Sequence, residues 1–337
     1  MNRVGIVAIG RNEGERLRKC LQSVIGGAGT VVYVDSNSSD GSVAMARALG
    51  AAVVELDLST PFTAARARNE GFAKLLSLDP QCEFIQFVDG DCEIVAGWIE
   101  RAVAELGGND KLGVVCGRRR ERHPEASEYN KLCDIEWDTP IGEARACGGD
   151  AMMRVSALTQ VGGFDASVIA GEEPELCVRL RQHGWKILRV DAEMTLHDAA
   201  MTRFGQWWRR MVRGGHAYAQ GRQMHGAPPE RHWVRENRRI VFWGLVLPIL
   251  VLALAWPTGG LSVILLGGYA VLWWRTLGHA KRRGLPPADA RLYATHMVIG
   301  KFAEAQGLIT FWTSRLLGRR TRLIEYKSAA PPRPVQG

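Results

Sequence analysis

Two acidic clusters in the chain have residue types and spacing that could do chemistry. The first is Asp89-Gly90-Asp91, set directly after the apolar run 84–88. Two carboxylates separated by one glycine at a strand end can hold one hard divalent cation, and the glycine lets a backbone or a phosphate come close. The same residues also make an ordinary turn, since Asp-Gly favours one. The second cluster runs from Asp35 through Ser36-Asn37-Ser38-Ser39-Asp40-Gly41, after the apolar run 31–34. It suits a turn and helix cap, and equally a polar loop at a strand end, where open parallel sheets bind ligands. Farther along, Glu172-Glu173 reads as two acids favoured by the dipole at a helix start.

Such clusters work together only if a scaffold gathers their strand ends. Apolar runs at 4–9, 31–34 and 52–56 alternate with helical patterns at 13–25 and 41–49, the rhythm of a parallel α/β sheet. The pattern predicts a further helix over 66–76, a buried central strand over 84–88, and later strands over 114–117 and 151–155. Residues 118–150 are long and polar, with Arg118, Arg119, Arg120 and Arg122 close together, and read as a loop-rich excursion over the sheet edge. Pro174 and Gly184 mark the first turn and the end of another helix. Three prolines in 328–337 predict a disordered tail.

In order and together, these segments resemble the family 2 glycosyltransferases of membrane-associated bacterial type. Val7-Ala8-Ile9-Gly10-Arg11-Asn12-Glu13 is similar to the family's opening strand and Asn-Glu turn, and 35–41 to its nucleotide-binding loop. Ala67-Arg68-Asn69-Glu70-Gly71 resembles its Ala-Arg-Asn-x-Gly segment, and Asp89-Gly90-Asp91 its Asp-x-Asp metal site. Gly162-Gly163-Phe164-Asp165, the run 171–176, Arg179-Leu180 and Gly184 match its acceptor-side stretch. The resemblance covers about residues 4–215 and implies an α/β fold of GT-A type, a Rossmann-like nucleotide-diphospho-sugar transferase domain, over 1–230. It implies donor contacts at Asn12, Glu13, Asp35, Arg68, Asp89, Gly90, Asp91, Gly149 and Asp150. It also implies a divalent ion, Mn²⁺ or Mg²⁺, on Asp91 and Asp89 with His197 as a third ligand. Glu173 would be the catalytic base, with Glu172 as fallback; the family's usual Glu-Asp pair is Glu-Glu here. Gln206-Trp207-Trp208-Arg209-Arg210 resembles a Gln-x-x-Arg-Trp motif with Arg210 in place of the last Trp, which puts Gln206, Arg209 and Arg210 on the diphosphate and acceptor side. The implied reaction is inverting transfer from a nucleotide-diphosphate sugar, UDP-linked by expectation, to a lipid-linked, polysaccharide or glycolipid acceptor.

A composition of 46% hydrophobic and 23% charged residues over 337 positions excludes a disordered chain. The formal charge of +8 would suit nucleic acid, a membrane surface or an anionic substrate, and its location favours the membrane over nucleic acid. Residues 240–274 carry no charged side chain, while Arg235, Arg238 and Arg239 precede them and Arg275, Lys281, Arg282 and Arg283 follow. This predicts a two-pass hydrophobic hairpin over 240–274 with both flanks on the cytosolic side, its turn exported or the pair re-entering without a full crossing. An amphipathic interfacial helix follows over 291–317, because Lys301 and Glu304 sit mid-length and Arg315, Arg319, Arg320 and Arg322 come after. The membrane region is thus 231–327, and the catalytic domain is expected in the cytosol at a bacterial-type inner membrane. Seven scattered cysteines read as reduced thiols, and the N-terminal apolar run is too short for a signal-peptide core. Two rival functions fit the sequence less well. A dinucleotide-dependent oxidoreductase lacks its G-x-G-x-x-G turn after the first strand. An inactive membrane-anchored module that binds nucleotide or lipid is disfavoured by retention of both Asp-x-Asp acids and the base-position Glu.

Overall fold

Runs rich in valine and isoleucine build the sheet, and the helices between them bring the strand ends to one edge. The computed structural model describes residues 4–319 apart from 28, 58 and 61, so the expected disordered tail and Arg320 and Arg322 lie outside the described residues. Strands β1 (Val4–Gly10), β2 (Val31–Asp35), β3 (Ala52–Glu55) and β4 (Phe84–Asp89) pair in parallel in the order β3-β2-β1-β4. Their crossovers are α1 (Glu15–Gln22), α2 (Ser42–Ala48) and α3 (Ala64–Leu78). Ile6, Val7, Val32, Val34, Ile85 and Phe87 are wholly buried between the helical layers.

The sheet is completed by β5 (Cys92–Ile94), β6 (Leu112–Glu121), β7 (Gly142–Ala144), β8 (Ala151–Arg154) and β9 (Lys186–His197). Its order is β3-β2-β1-β4-β8-β6-β9-β5, with β7 on β9. Strand β8 runs antiparallel to β4 and β6, and β5 antiparallel to β9, so the sheet is mixed and not wholly parallel. Periodicity misses this because a strand buried on both faces reads as a continuous apolar run in either direction. The intervening helices are α4 (Trp98–Gly108), α5 (Glu128–Trp137), α6 (Val155–Gln160) and α7 (Glu172–Gln182).

The polar stretch 118–150 differs most from its sequence reading. Strand β6 continues through the arginines to Glu121, and α5 and β7 follow. Each arginine of the cluster is neutralised: Arg118 by Asp134 at 3.2 Å, Arg119 by Asp89 at 3.1 Å, Arg120 by Glu193, and Arg122, just past the strand, by Glu93. Register shifts between Cys116 and Arg118 and between Arg118 and Arg119 interrupt the alternation that would have marked a strand.

Five more α-helices follow among the described residues: α8 (Phe204–His225), α9 (Val234–Val241), which passes through a π-helical turn at Phe242–Val246 into α10 (Leu247–Ala255), then α11 (Gly267–Arg282) and α12 (Pro287–Leu316). The segments Val234–Ala255 and Leu261–Arg282, 22 residues each, are long and apolar enough to cross a membrane. Leu252 on the first and Trp256 just past its end are 75% and 94% exposed. Helix α12 lies against α8 through small residues. A Cβ on Gly307 would sit 2.0 Å from the Val212 carbonyl oxygen, and one on Gly215 2.0 Å from that of Glu304. Gly307→Ala is therefore expected to cost about 1–3 kcal/mol by overpacking, although alanine is the better helix former. Gly278→Ala meets nothing nearer than the flexible Arg282 guanidinium at 3.7 Å and should be neutral or stabilising. Unfolding in detergent checks the pair, and a Gly307→Ala protein as stable as Gly278→Ala would disprove the close approach.

Candidate functional site

Arg68 reaches the centre of the site because α3 lies unusually close to the sheet. Thr63 caps the helix by accepting from the Arg66 amide at 3.1 Å. One turn past Arg68, a Cβ on Gly71 would lie 2.4 Å from Val7 Cγ1, so only glycine permits this approach to β1. Arg68, 2% exposed, donates to Asp89 Oδ1 at 2.9 Å and to Glu172 Oε1 at 2.7 Å, and lies 3.0 Å from Glu173 Oε1. Asp89 ends β4, while Glu172 and Glu173 open α7 behind the left-handed Gly171. The helix-start reading and the site reading of the two glutamates thus both hold geometrically. Gly149 closes the cluster, since a Cβ there would meet Arg68 Nη2 at 2.8 Å and Asp89 Oδ2 at 2.9 Å. Asn69 fastens the neighbouring loop by donating to the Phe164 carbonyl at 2.7 Å and accepting from its amide at 2.9 Å. Burial works against the Arg68 charge, but Glu173, Asp89 and Glu172 outweigh it and hold the guanidinium protonated. Burial, and then the charge of Glu172, push the Glu173 carboxyl up to about 7 against the opposing pull of Arg68.

A second cluster forms where three strands end in register. Glu121 and Cys92 both stand opposite His197 in the sheet. His197 Nε2 lies 3.2 Å from Asp91 Oδ2, and its Nδ1 lies 3.0 Å from Glu121 Oε2. Burial, followed by the nearby Arg119, lowers the His197 pKa and favours the neutral imidazole. Ligand atoms of Asp91, Cys92 and His197 lie within 4.8 Å of one another. A carboxylate and a neutral imidazole oriented from behind by a second carboxylate are a donor set that fits a divalent metal. Asp89 Oδ2 instead accepts from Arg119 at 3.1 Å, and a second grouping joins Asp89 and Cys92 to Asp150. Asp150 is fully buried, accepting from the Asp89 amide at 3.0 Å and the Thr195 hydroxyl at 2.8 Å, so it supports Asp89 from beneath.

The turn after β1 and the loop after β2 are tied to each other. The Asn12 amide donates to Ser38 Oγ at 2.9 Å, and the Ser39 amide to Asn12 Oδ1 at 2.7 Å. Asp35 accepts from the Ser38 amide at 2.7 Å and the Tyr33 hydroxyl at 2.8 Å. Glu13 and Ser36 face a cleft of about 780 Å³ that also exposes Asp89, Gly90, Asp91, Glu172, Glu173 and His197.

The opposite wall is helical and reorders one part of the sequence reading. Arg210 and Arg213 of α8 line the cleft, and Arg210 pairs with Glu136 at 2.6 Å. Arg209 is exposed and outside the lining, because one residue along a helix turns the side chain by about 100°. Gln206 is buried at the start of α8, where its side-chain oxygen accepts from the Thr202 and Arg203 amides at 3.0 Å. Sequence reasoning missed Arg119, Glu121 and Arg213. The first two fall in the stretch read as loop, and Arg213 lies a helical turn beyond the motif.

Residues 6–159 match the model for Glycosyl transferase family 2. Glycosyltransferase AglE of Haloferax volcanii is 23% identical over 222 residues, 62% of this chain and 70% of its own. The mannosyltransferase PcManGT of Pyrobaculum calidifontis, solved with GDP-Man and Mn²⁺, superposes with a TM-score of 0.57 at 18% identity, covering 94% of this chain and 87% of that one. S. aureus TarS 1-349 superposes with a TM-score of 0.50 at 15% identity over 95% of this chain and 92% of its own. At such identities the solved structures speak for the fold.

The raised Glu173 carboxyl has a consequence for stability. Its ordinary value is 4.5, so between about pH 4.5 and 7 the folded protein holds a proton that the unfolded chain lacks. The stabilisation is full below that window and is lost as pH rises through about 7. Glu173→Gln should therefore be more stable than the parent by about 1–3 kcal/mol at pH 8 and no more stable at pH 4.5. Denaturant unfolding at both pH values measures this, and an equal gain at both would remove ionisation as the cause.

Proposed function

We propose, from the premise that residues 6–159 are a family 2 glycosyltransferase domain in a GT-A fold, that the protein transfers a sugar from a nucleoside-diphosphate donor to an acceptor hydroxyl presented at a membrane surface. The observation that carries this is the buried Arg68, which joins Asp89 to Glu172 and Glu173 across one cleft. Donor-side and acceptor-side acids thereby lie one guanidinium apart in the same cleft, which supports a single displacement at a sugar carbon. The donor class is further supported by the PcManGT neighbour, whose complex holds GDP-Man.

In this reading Glu13, Ser36 and the tied Asn12 and Asp35 loops receive the nucleotide, and Asp91 and His197, with Asp89 beside them, hold Mn²⁺ or Mg²⁺. When bound, such an ion supplies positive charge against the leaving diphosphate. Arg210 and Arg213 face the same cleft from α8 and add positive charge on the side where diphosphate and acceptor meet. Glu173 is the general base: with a pKa near 7 it is largely ionised under mildly basic conditions and still able to hold the acceptor's proton. Glu172, 4% exposed and bound to Arg68, fixes the arginine that orients Glu173. One displacement inverts the anomeric centre.

The membrane part of the reading places Val234–Ala255 and Leu261–Arg282 as a hairpin across the bilayer, with the catalytic domain on the arginine-rich, cytosolic side. Because α12 packs on α8 and α11 on α12, the acceptor wall of the cleft is built directly on these helices, which favours a lipid-linked or glycolipid acceptor.

Release of nucleoside diphosphate from detergent-purified protein, across UDP- and GDP-sugars with lipid-linked acceptors, tests the reading. Asp91→Asn or excess chelator should lower kcat by roughly 10²-fold or more; undiminished turnover in chelator would refute the metal. Glu173→Gln should lower kcat by roughly 10²–10⁴-fold with little change in donor KM, and should abolish a kcat/KM limb that rises with pH through about 7. A normal rate in this variant would pass the role to Glu172.

A further inference from the structure

The first apolar helix begins with a basic face that the glycosyl-transfer reading leaves unused. Arg231, Arg235, Arg238 and Arg239 line a groove of about 390 Å³ together with Phe242 and Trp243. The last five lie on the helix that starts at Val234 and recur at spacings of three and four, so they share one face. That face is turned outward because the other is anchored: Ile240 is fully buried, and Asn237 donates to the Tyr218 carbonyl at 2.6 Å. All four arginines are exposed, and none forms an ion pair with a described residue. The nearby acid Glu230 is already held by Arg181 at 2.7 Å and Arg145 at 3.2 Å.

We propose that this groove binds the phosphate headgroup of an anionic membrane lipid, an inference that rests on the membrane reading above. Topology alone needs only positive charge near the helix end. It does not require four unpaired guanidinium groups converging on one groove, nor aromatic rings where the apolar segment begins. Guanidinium donors match phosphate oxygens in pairs, and Phe242 and Trp243 sit where an acyl chain would leave the headgroup region. The site thus takes a phosphate that arrives attached to an apolar chain.

The full chain in neutral detergent, titrated with short-chain phosphatidylglycerol and phosphatidylcholine and followed by thermophoresis, provides the test. The anionic lipid is expected to bind at least tenfold more tightly, and Arg235→Gln/Arg238→Gln/Arg239→Gln to bring the two within twofold. The lysine triple variant at the same positions keeps the charge and the fold, and should lose at least threefold of the preference. Inorganic phosphate should fail to displace the lipid at equal concentration. Full preference in either triple variant, or displacement by free phosphate, would overturn the proposal. Flotation on phosphatidylcholine vesicles separates the two layers: failure of the parent protein to float refutes membrane insertion itself, whereas a missing anionic preference in a floating protein refutes the groove alone.

Discussion

A single buried guanidinium organises the candidate site. Arg68 stands among Asp89, Glu172 and Glu173, three carboxylates that could not share so small a space without it. An unpaired buried charge costs several kcal/mol, so neither the arginine nor the acids are tolerable alone. The arrangement couples the end of β4 to the start of α7, segments separated by more than 80 residues. It also leaves the balance slightly on the acidic side, and Glu173, the least firmly paired of the three, carries the raised pKa.

The cost of this concentration of charge is met by close packing around it. Gly71 lets α3 settle on β1, and Gly149 leaves room for Arg68 beside Asp89. Asp150, with no exposure, secures Asp89 through the backbone amide. Arg119 repeats the logic at the second carboxylate oxygen of Asp89, its guanidinium also lying 4.8 Å from the Trp137 ring centroid. Two arginines therefore hold Asp89, one on each carboxylate oxygen, while Asp91 pairs with His197. The paired acids of Asp-Gly-Asp thus occupy different electrostatic environments although one residue separates them.

The helical wall gives the cleft its relation to the rest of the chain. α8 faces the cleft with Arg210 and Arg213 and faces α12 with Gly215, so a shift of α12 would be felt at the site through one helix. Interfaces made of glycine against carbonyl oxygen allow little slack. The apolar helices that continue this wall expose Leu252, Trp256 and Trp274 to their surroundings. The sheet with its cleft and the apolar helices are thereby one packed structure joined along α8 and α12.

Local patterns in the chain determined a good deal. Alternating apolar runs and helical periods located β1 to β4 and α1 to α3 within a few residues, since each buries a continuous face. Asp35, Asp89 and Asp91 were legible as strand-end acids, and the uncharged run 240–274 as a segment unlike the rest. Tertiary structure alone decided which charges meet. Nothing in the spacing of Arg68 names Glu172, 104 residues away, and nothing in an arginine-rich stretch reveals a bulged strand whose end brings Glu121 to His197. Strand direction was likewise invisible, because burial on both faces erases the alternation that would report it. That Arg213 lines the cleft and Arg209 does not depends on helix rotation relative to the cleft, a quantity fixed by how α8 packs and not by which residues it contains.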